Sequence, residues 1–127
     1  MGPELAALVK HPVGAGELDG PSAAAERDNP VCGDKLRLTV RVAHGRLTEL
    51  AFRATACPAT VAVASCAVRV LAGKPLPDGP PFATLRGEVA RLGGLSSFEQ
   101  HALALVESAL AACVDAVRGD DSDHPGC

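Results

Sequence analysis

Lys35-Leu36-Arg37-Leu38-Thr39-Val40-Arg41-Val42 alternates without a break. Leu36, Leu38, Val40 and Val42 fall on one side of a two-residue repeat, and Lys35, Arg37, Thr39 and Arg41 on the other. That is the pattern of a strand buried on one face. His44-Gly45 then supplies a two-residue turn, and Arg46 to Ala56 alternates again with Leu50, Phe52, Ala54 and Ala56 inward. Residues 35–56 are therefore expected as an antiparallel hairpin.

Downstream of the hairpin, Pro58 opens a helix that runs to about Ala72, where Gly73 is the natural stop. Only Thr60, Ser65 and Arg69 interrupt its apolar surface, so it is expected to be covered on most sides. Lys74 to Pro81 carries four prolines and reads as a linker. Residues 82–92 form a short helix stopped by Gly93-Gly94. Ser96 and Glu99 make a capping box before the longest helix, whose apolar set is Leu105, Val106, Ala109, Leu110, Cys113, Val114 and Val117, with Gly119 as its expected end. Upstream, residues 3–10 read as a short helix with Pro3 in its first turn, and His11 to Asp28 as irregular chain with an edge strand around Ser22–Arg27. His11 itself reads as an exposed loop residue. Residues 1–119 are expected as one domain, and the acidic, apolar-poor stretch 120–127 as a disordered tail.

Composition narrows the function classes. The chain has 127 residues, long enough for a core without disulfide staples, and its 47% hydrophobic content includes three Phe and no Trp or Tyr, so Ala, Val and Leu must build the interior. Twelve basic residues stand against 15 acidic ones, for a net charge of −3. No basic cluster or aromatic platform is available to track phosphates or stack bases, which argues against nucleic acid. No window approaches about 18 uninterrupted apolar residues and the first residues lack the regions of a secretory signal, so no membrane partner is expected and the chain is read as soluble and cytoplasmic. Five cysteines in such a compartment favour metal or redox chemistry over a disulfide framework.

The candidate chemistry begins just before the hairpin, at Asn29-Pro30-Val31-Cys32-Gly33-Asp34. Pro30 and Gly33 make this a turn entering a strand, with a thiol and a carboxylate two residues apart. Cys57 arrives after one hairpin, immediately before Pro58, which brings it back beside Cys32. His101 falls in the first turn of the last helix, beside the Gly93-Gly94 bend. Cys32, Asp34, Cys57 and His101 together offer two thiolates, a carboxylate and an imidazole, a set suited to tetrahedral zinc and also compatible with iron–sulfur ligation. The alternatives are plain: two unrelated loop thiols, an aspartate bonding to its own turn, and a surface or capping histidine. Cys66 would face away from the start of its helix, at about 100° per residue, and Cys113 lies roughly 18 Å along the last helix from His101, so both read as core thiols. Cys127 and His124 fall in the expected tail.

These motifs resemble the iron–sulfur cluster scaffold family of IscU, SufU and the N-terminal domain of NifU. The resemblance runs from Asn29-Pro30-Val31-Cys32-Gly33-Asp34 through the hairpin, Ala56-Cys57-Pro58 and Leu71-Ala72-Gly73-Lys74 to the last helix. It implies an α+β fold in which a small antiparallel sheet of about three strands packs against helices, as in the SufE/NifU-like proteins. It also implies a site of three cysteines and an aspartate, with a histidine or lysine before the third cysteine. Cys32, Asp34 and Cys57 match the first cysteine, the aspartate and the second cysteine, and His101 matches the histidine. Ala102 stands where the third cysteine belongs. Leu95-Ser96-Ser97-Phe98-Glu99 replaces the chaperone-docking segment of the IscU branch, and the short link from Lys74 to Leu95 lacks the insertion of the SufU branch.

The function implied is that of a non-enzymatic scaffold or carrier. It would receive iron and persulfide sulfur from a cysteine desulfurase, hold a labile cluster, foremost [2Fe-2S], on Cys32, Asp34, Cys57 and His101, and pass it to apo acceptor proteins. The alternative is a zinc-binding module of the same fold that no longer builds clusters and serves a structural or desulfurase-partner role, since Zn2+ accepts this ligand set without a third thiol. A thiol enzyme with Cys32 as nucleophile and His101 as base ranks last, because the sequence offers no oxyanion site.

Overall fold

The computed structural model describes residues 1–29, 33–55, 58–77 and 82–123. The hairpin forms as β2 (Asp34–Ala43) and β3 (Arg46–Thr55), joined by His44 and Gly45 with φ of 55° and 74°. Positive φ at both central residues is the type I′ geometry whose twist matches two antiparallel strands. β1 (Ala23–Asn29) pairs with β2 from Ala23↔Val40 to Asn29↔Asp34, and the two-residue β4 (Lys74–Pro75) pairs with the start of β3. The sheet is thus fully antiparallel in the order β1-β2-β3-β4. It has one strand more than the three expected, because Lys74 and Pro75, read as the start of a linker, close its edge.

One irregularity matters for the core. Arg41 pairs with Glu49 but Val42 pairs with Leu47, so Thr48 is an extra residue in β3, and its hydroxyl donates to the Arg41 carbonyl at 2.9 Å. Strict alternation would point Leu47 outward, with Glu49 and Ala51. The bulge returns it to the inner face, where it is buried with Leu50 and Phe52.

The inner face, formed by Leu36, Leu38, Val40 and their partners Ala54, Phe52 and Leu50, is covered by α2 (Pro58–Leu71) and α4 (Gln100–Asp123). Ten of the fourteen α2 residues are buried, since α1 (Pro3–Lys10), α3 (Ala83–Arg91), α4 and β3 all pack on it. This is the expected covering, and the small side chains of Ala59, Ala62, Ala64 and Ala67 permit it. The outer face is covered in part by residues 14–22. Gly16 donates to the Phe52 carbonyl at 2.8 Å, Leu18 N–H donates to Thr39 Oγ1 at 3.3 Å, and Ser22 donates to the Val40 carbonyl at 2.8 Å. The segment therefore crosses from the β3 side of the sheet to the β1 edge and buries Thr39 beneath it.

Gly14 shows why this crossing needs glycine. Its φ is +82°, and a Cβ there would lie 2.6 Å from Val68 Cγ2. Ser96 and Glu99 form the expected reciprocal capping box, over a short 3-10 turn (Ser97–Glu99) that leads into α4. Gly119 does not end α4, which continues to Asp123. A lone glycine inside a helix costs about 1 kcal/mol and is no stop unless it takes a left-handed C-terminal conformation. Asp120–Asp123 of the expected tail are helical as far as the described residues go, and His124–Cys127 lie outside them. By length and composition Gln100–Arg118 could cross a bilayer, but Ala102, Val106, Ala109 and Leu110 are buried in the fold, which makes it a core helix here.

Candidate functional site

Three element ends meet at one end of the sheet. Asn29 at the end of β1 pairs with Asp34 at the start of β2, and Lys35 pairs with Thr55 at the end of β3. The β1–β2 connection and the β3–α2 connection therefore leave from the same end. Helix α4 is oriented by two contacts: Arg27 Nε donates to Ser108 Oγ at 3.0 Å, and Cys113 Sγ lies 3.9 Å from the Leu38 carbonyl. Because Leu38 pairs with Ala25, moving from residue 113 to 108 follows β1 from 25 towards 29. Continuing seven residues, about 10 Å at the helical rise, carries the start of α4 to the same end of the sheet.

The predicted ligands fall on these elements as follows. Cys32 and Cys57 lie outside the described residues. Asp34 is the first residue of β2, and only its backbone is described. His101 is the second residue of α4 and is half-buried. Among the described residues no three metal-binding side chains cluster. Ala102, next to His101, is fully buried among the core residues, so at this position α4 contributes a methyl group to packing and no thiol.

A concavity of about 920 Å³ opens at this end of the sheet. Its walls include Val9 of α1, Asp28, Lys35, Arg53 and Thr55 from the three strand ends, and Val61 in the first turn of α2. On the outer face Arg37 is held by Glu17, at 2.8 Å, and by Glu26, at 3.3 Å. The hydrogen bond from Arg37 is the main cause that keeps the Glu17 carboxyl below its ordinary range. Arg53 approaches the same carboxylate at 3.8 Å.

The two described cysteines are not part of the site. Cys66 and Cys113 are fully buried, and burial is the main cause that pushes each thiol up to about 11. At neutral pH both are protonated core side chains, as helix geometry led us to expect.

Sequence reasoning missed Arg27. Its strand alternates Ala23, Ala25 and Arg27 on the face turned towards α4, and an arginine in a register of small apolar residues was the available signal. It also missed the fastening of α3 to α4. There the buried Glu107 carboxylate accepts from Arg86 at 2.7 and 2.8 Å and from the Phe82 N–H at 3.2 Å. The Arg86 hydrogen bonds hold Glu107 below the ordinary carboxylate range.

Known proteins agree with this architecture. The NifU-like N terminal domain family matches residues 3–122. The chain is 34% identical over 112 residues to the bifunctional protein NifU/MnmA of Rubrobacter xylanophilus, an alignment that takes in 86% of this chain and 22% of that protein. It is 30% identical over 102 residues to the iron-sulfur cluster assembly scaffold protein IscU 1 of Archaeoglobus fulgidus, across 80% of this chain and 65% of the relative. The chain thus spans less than two thirds of the length of either relative. The crystal structure of a nitrogen-fixing NifU-like protein (N-terminal) from Brucella abortus superposes with a TM-score of 0.71 at 18% identity, covering 92% of this chain and 93% of that one. Matched to that family over residues 3–122, the chain belongs to the NifU-like N-terminal domains.

Proposed function

We propose that this protein is a scaffold on which an iron–sulfur cluster is assembled and from which it is handed to acceptor proteins, without catalysing a reaction of its own. The observation that carries this reading is the Cys32-Gly33-Asp34 motif, followed one hairpin later by Cys57, in a chain whose relatives are named as cluster assembly scaffolds. The ligands are Cys32, Asp34, Cys57 and His101, and the cargo is a [2Fe-2S] cluster. Donor chemistry fits the task. Two thiolates bind iron strongly, while a carboxylate is harder and less matched to it, which keeps the assembly exchangeable. Imidazole replaces thiolate on one iron in some two-iron clusters, so His101 suits the fourth position.

Sulfur would arrive from a cysteine desulfurase as the outer sulfur of a persulfide. Converting that sulfur to sulfide breaks the S–S bond and consumes two electrons, which a low-potential electron carrier must supply. With Ala102 in place of a third thiol, Cys32 or Cys57 is the acceptor within this chain. A zinc-holding module of the same fold is the second reading, favoured by that same alanine, because zinc is satisfied by the four remaining ligands.

The test is desulfurase-driven assembly followed by transfer to an apo-ferredoxin. The scaffold reading expects the ferredoxin spectrum to develop with the wild type and to be lost with Cys32→Ala and with Cys57→Ala, while Cys66→Ala still transfers. Transfer by both site variants at the wild-type rate would refute it.

A further inference from the structure

Arg27 stands on the face of β1 that Ala23 and Ala25 bury, yet it is exposed and its guanidinium reaches α4 at Ser108. Nε donates to Ser108 Oγ at 3.0 Å and Nη1 donates to the Glu26 carbonyl at 2.8 Å. Both acceptors are neutral. Among the described side chains, which do not include that of Asp34, no carboxylate pairs with Arg27, whereas Arg37 and Arg53 meet Glu17 and Arg41 meets Glu49. With five N–H donors, the guanidinium keeps several uncommitted.

Its place in the fold gives this charge a purpose. Arg27 pairs with Leu36, so in register it is the diagonal neighbour of position 34, a separation of about 7–8 Å between strand backbones. Ser108, which props it, lies seven residues after His101, on the same face of α4 and about 10 Å along the axis. Between them on that face is the exposed Ala104. Arg27 is also one of the residues that wall the concavity.

We infer that Arg27 is a charge-compensating residue for an anionic cargo, its guanidinium held by Ser108 diagonal to position 34 and about 10 Å along α4 from His101. The inference rests on the scaffold reading. Two thiolates and a carboxylate outweigh the positive charge of an oxidised two-iron, two-sulfide core, so the loaded site is anionic, and one-electron reduction makes it more so. A cation nearby favours the reduced, more negative state, and the effect weakens as salt screens it.

The experiment compares wild type with Arg27→Gln, Arg27→Lys and Arg41→Gln after anaerobic cluster reconstitution, reading the reduction potential by titration of the visible spectrum at low and high salt. Arg27→Gln is expected to have a lower potential than wild type, with a difference that shrinks at high salt. Arg27→Lys should recover much of it, and Arg41→Gln, at the far end of β2, should match wild type. A folded Arg27→Gln that takes up no cluster, with uptake restored in Arg27→Lys, supports the same role. Equal potentials in wild type and a loaded Arg27→Gln overturn the inference and leave the scaffold reading standing. No cluster on any of the four proteins overturns both.

Discussion

The chain's cysteines divide by environment. Cys66 and Cys113 are packed where burial holds the thiol protonated, so neither is a nucleophile or a metal ligand at neutral pH. Both are expected to resist alkylation by iodoacetamide in the native protein and to react on unfolding. Peptide mass spectrometry reads this directly, and rapid native labelling of either would contradict their placement. Their burial was legible in the sequence, because a position on a helix follows from the 100° rotation per residue. Ala102 carries a different lesson. The sequence shows that a thiol is missing there, but only the fold shows that the methyl is part of the core. Arg27 was overlooked for a physical reason: β1 is short and rich in alanine, so its alternation is faint and an arginine in the inward register does not stand out.

At the scale of the elements, the hairpin, α2 and the capping box could be read closely, because each rests on local rules of alternation, turn chemistry and capping. The bulge at Thr48, the strand at Lys74–Pro75 and the crossing at residues 14–22 could not, since each exists only through pairing with a distant partner. Two predictions belong here. Gly14→Ala should destabilise the fold by about 1–2 kcal/mol or more, from the left-handed backbone and the clash with Val68. A chemical denaturation midpoint unchanged from wild type would show that the crossing tolerates a side chain.

Glu107→Gln should cost about 1–3 kcal/mol, because it leaves the Arg86 hydrogen bonds without their charged acceptor. Since the native carboxyl titrates below its unfolded value of about 4.3, its contribution is fully present above that pH and is lost as pH falls through the native value. The stability gap between wild type and Glu107→Gln should therefore be constant near neutrality and narrow as the solution is acidified below about pH 4. A gap independent of pH would remove the charged fastening from the account.

For the whole molecule, the sheet brings two connections and the start of α4 to one end, and that convergence was foreseen only in part. Hairpin length implied that Cys57 returns beside Cys32. Nothing local implied that α4 runs antiparallel to β1 and delivers His101 to the same end. If that end binds metal in the folded state alone, saturation must stabilise the protein. At free zinc near 100 times Kd the gain is about 2.7 kcal/mol, enough to raise Tm by several degrees, roughly, for a domain of this size. Cys32→Ala should abolish the rise, and an equal rise in that variant would place the metal elsewhere.

The most direct test of the central claim is iron and acid-labile sulfide per chain, measured with the visible spectrum after anaerobic reconstitution with iron, cysteine and a cysteine desulfurase. The chain has no Trp or Tyr, so its own absorbance interferes little. Iron and sulfide in equal amounts, with thiolate-to-iron charge-transfer bands that are lost in Cys32→Ala and in Cys57→Ala, is the predicted result. Tightly held zinc, with neither iron nor sulfide taken up after the zinc is removed, would contradict the scaffold reading and leave the zinc module in its place.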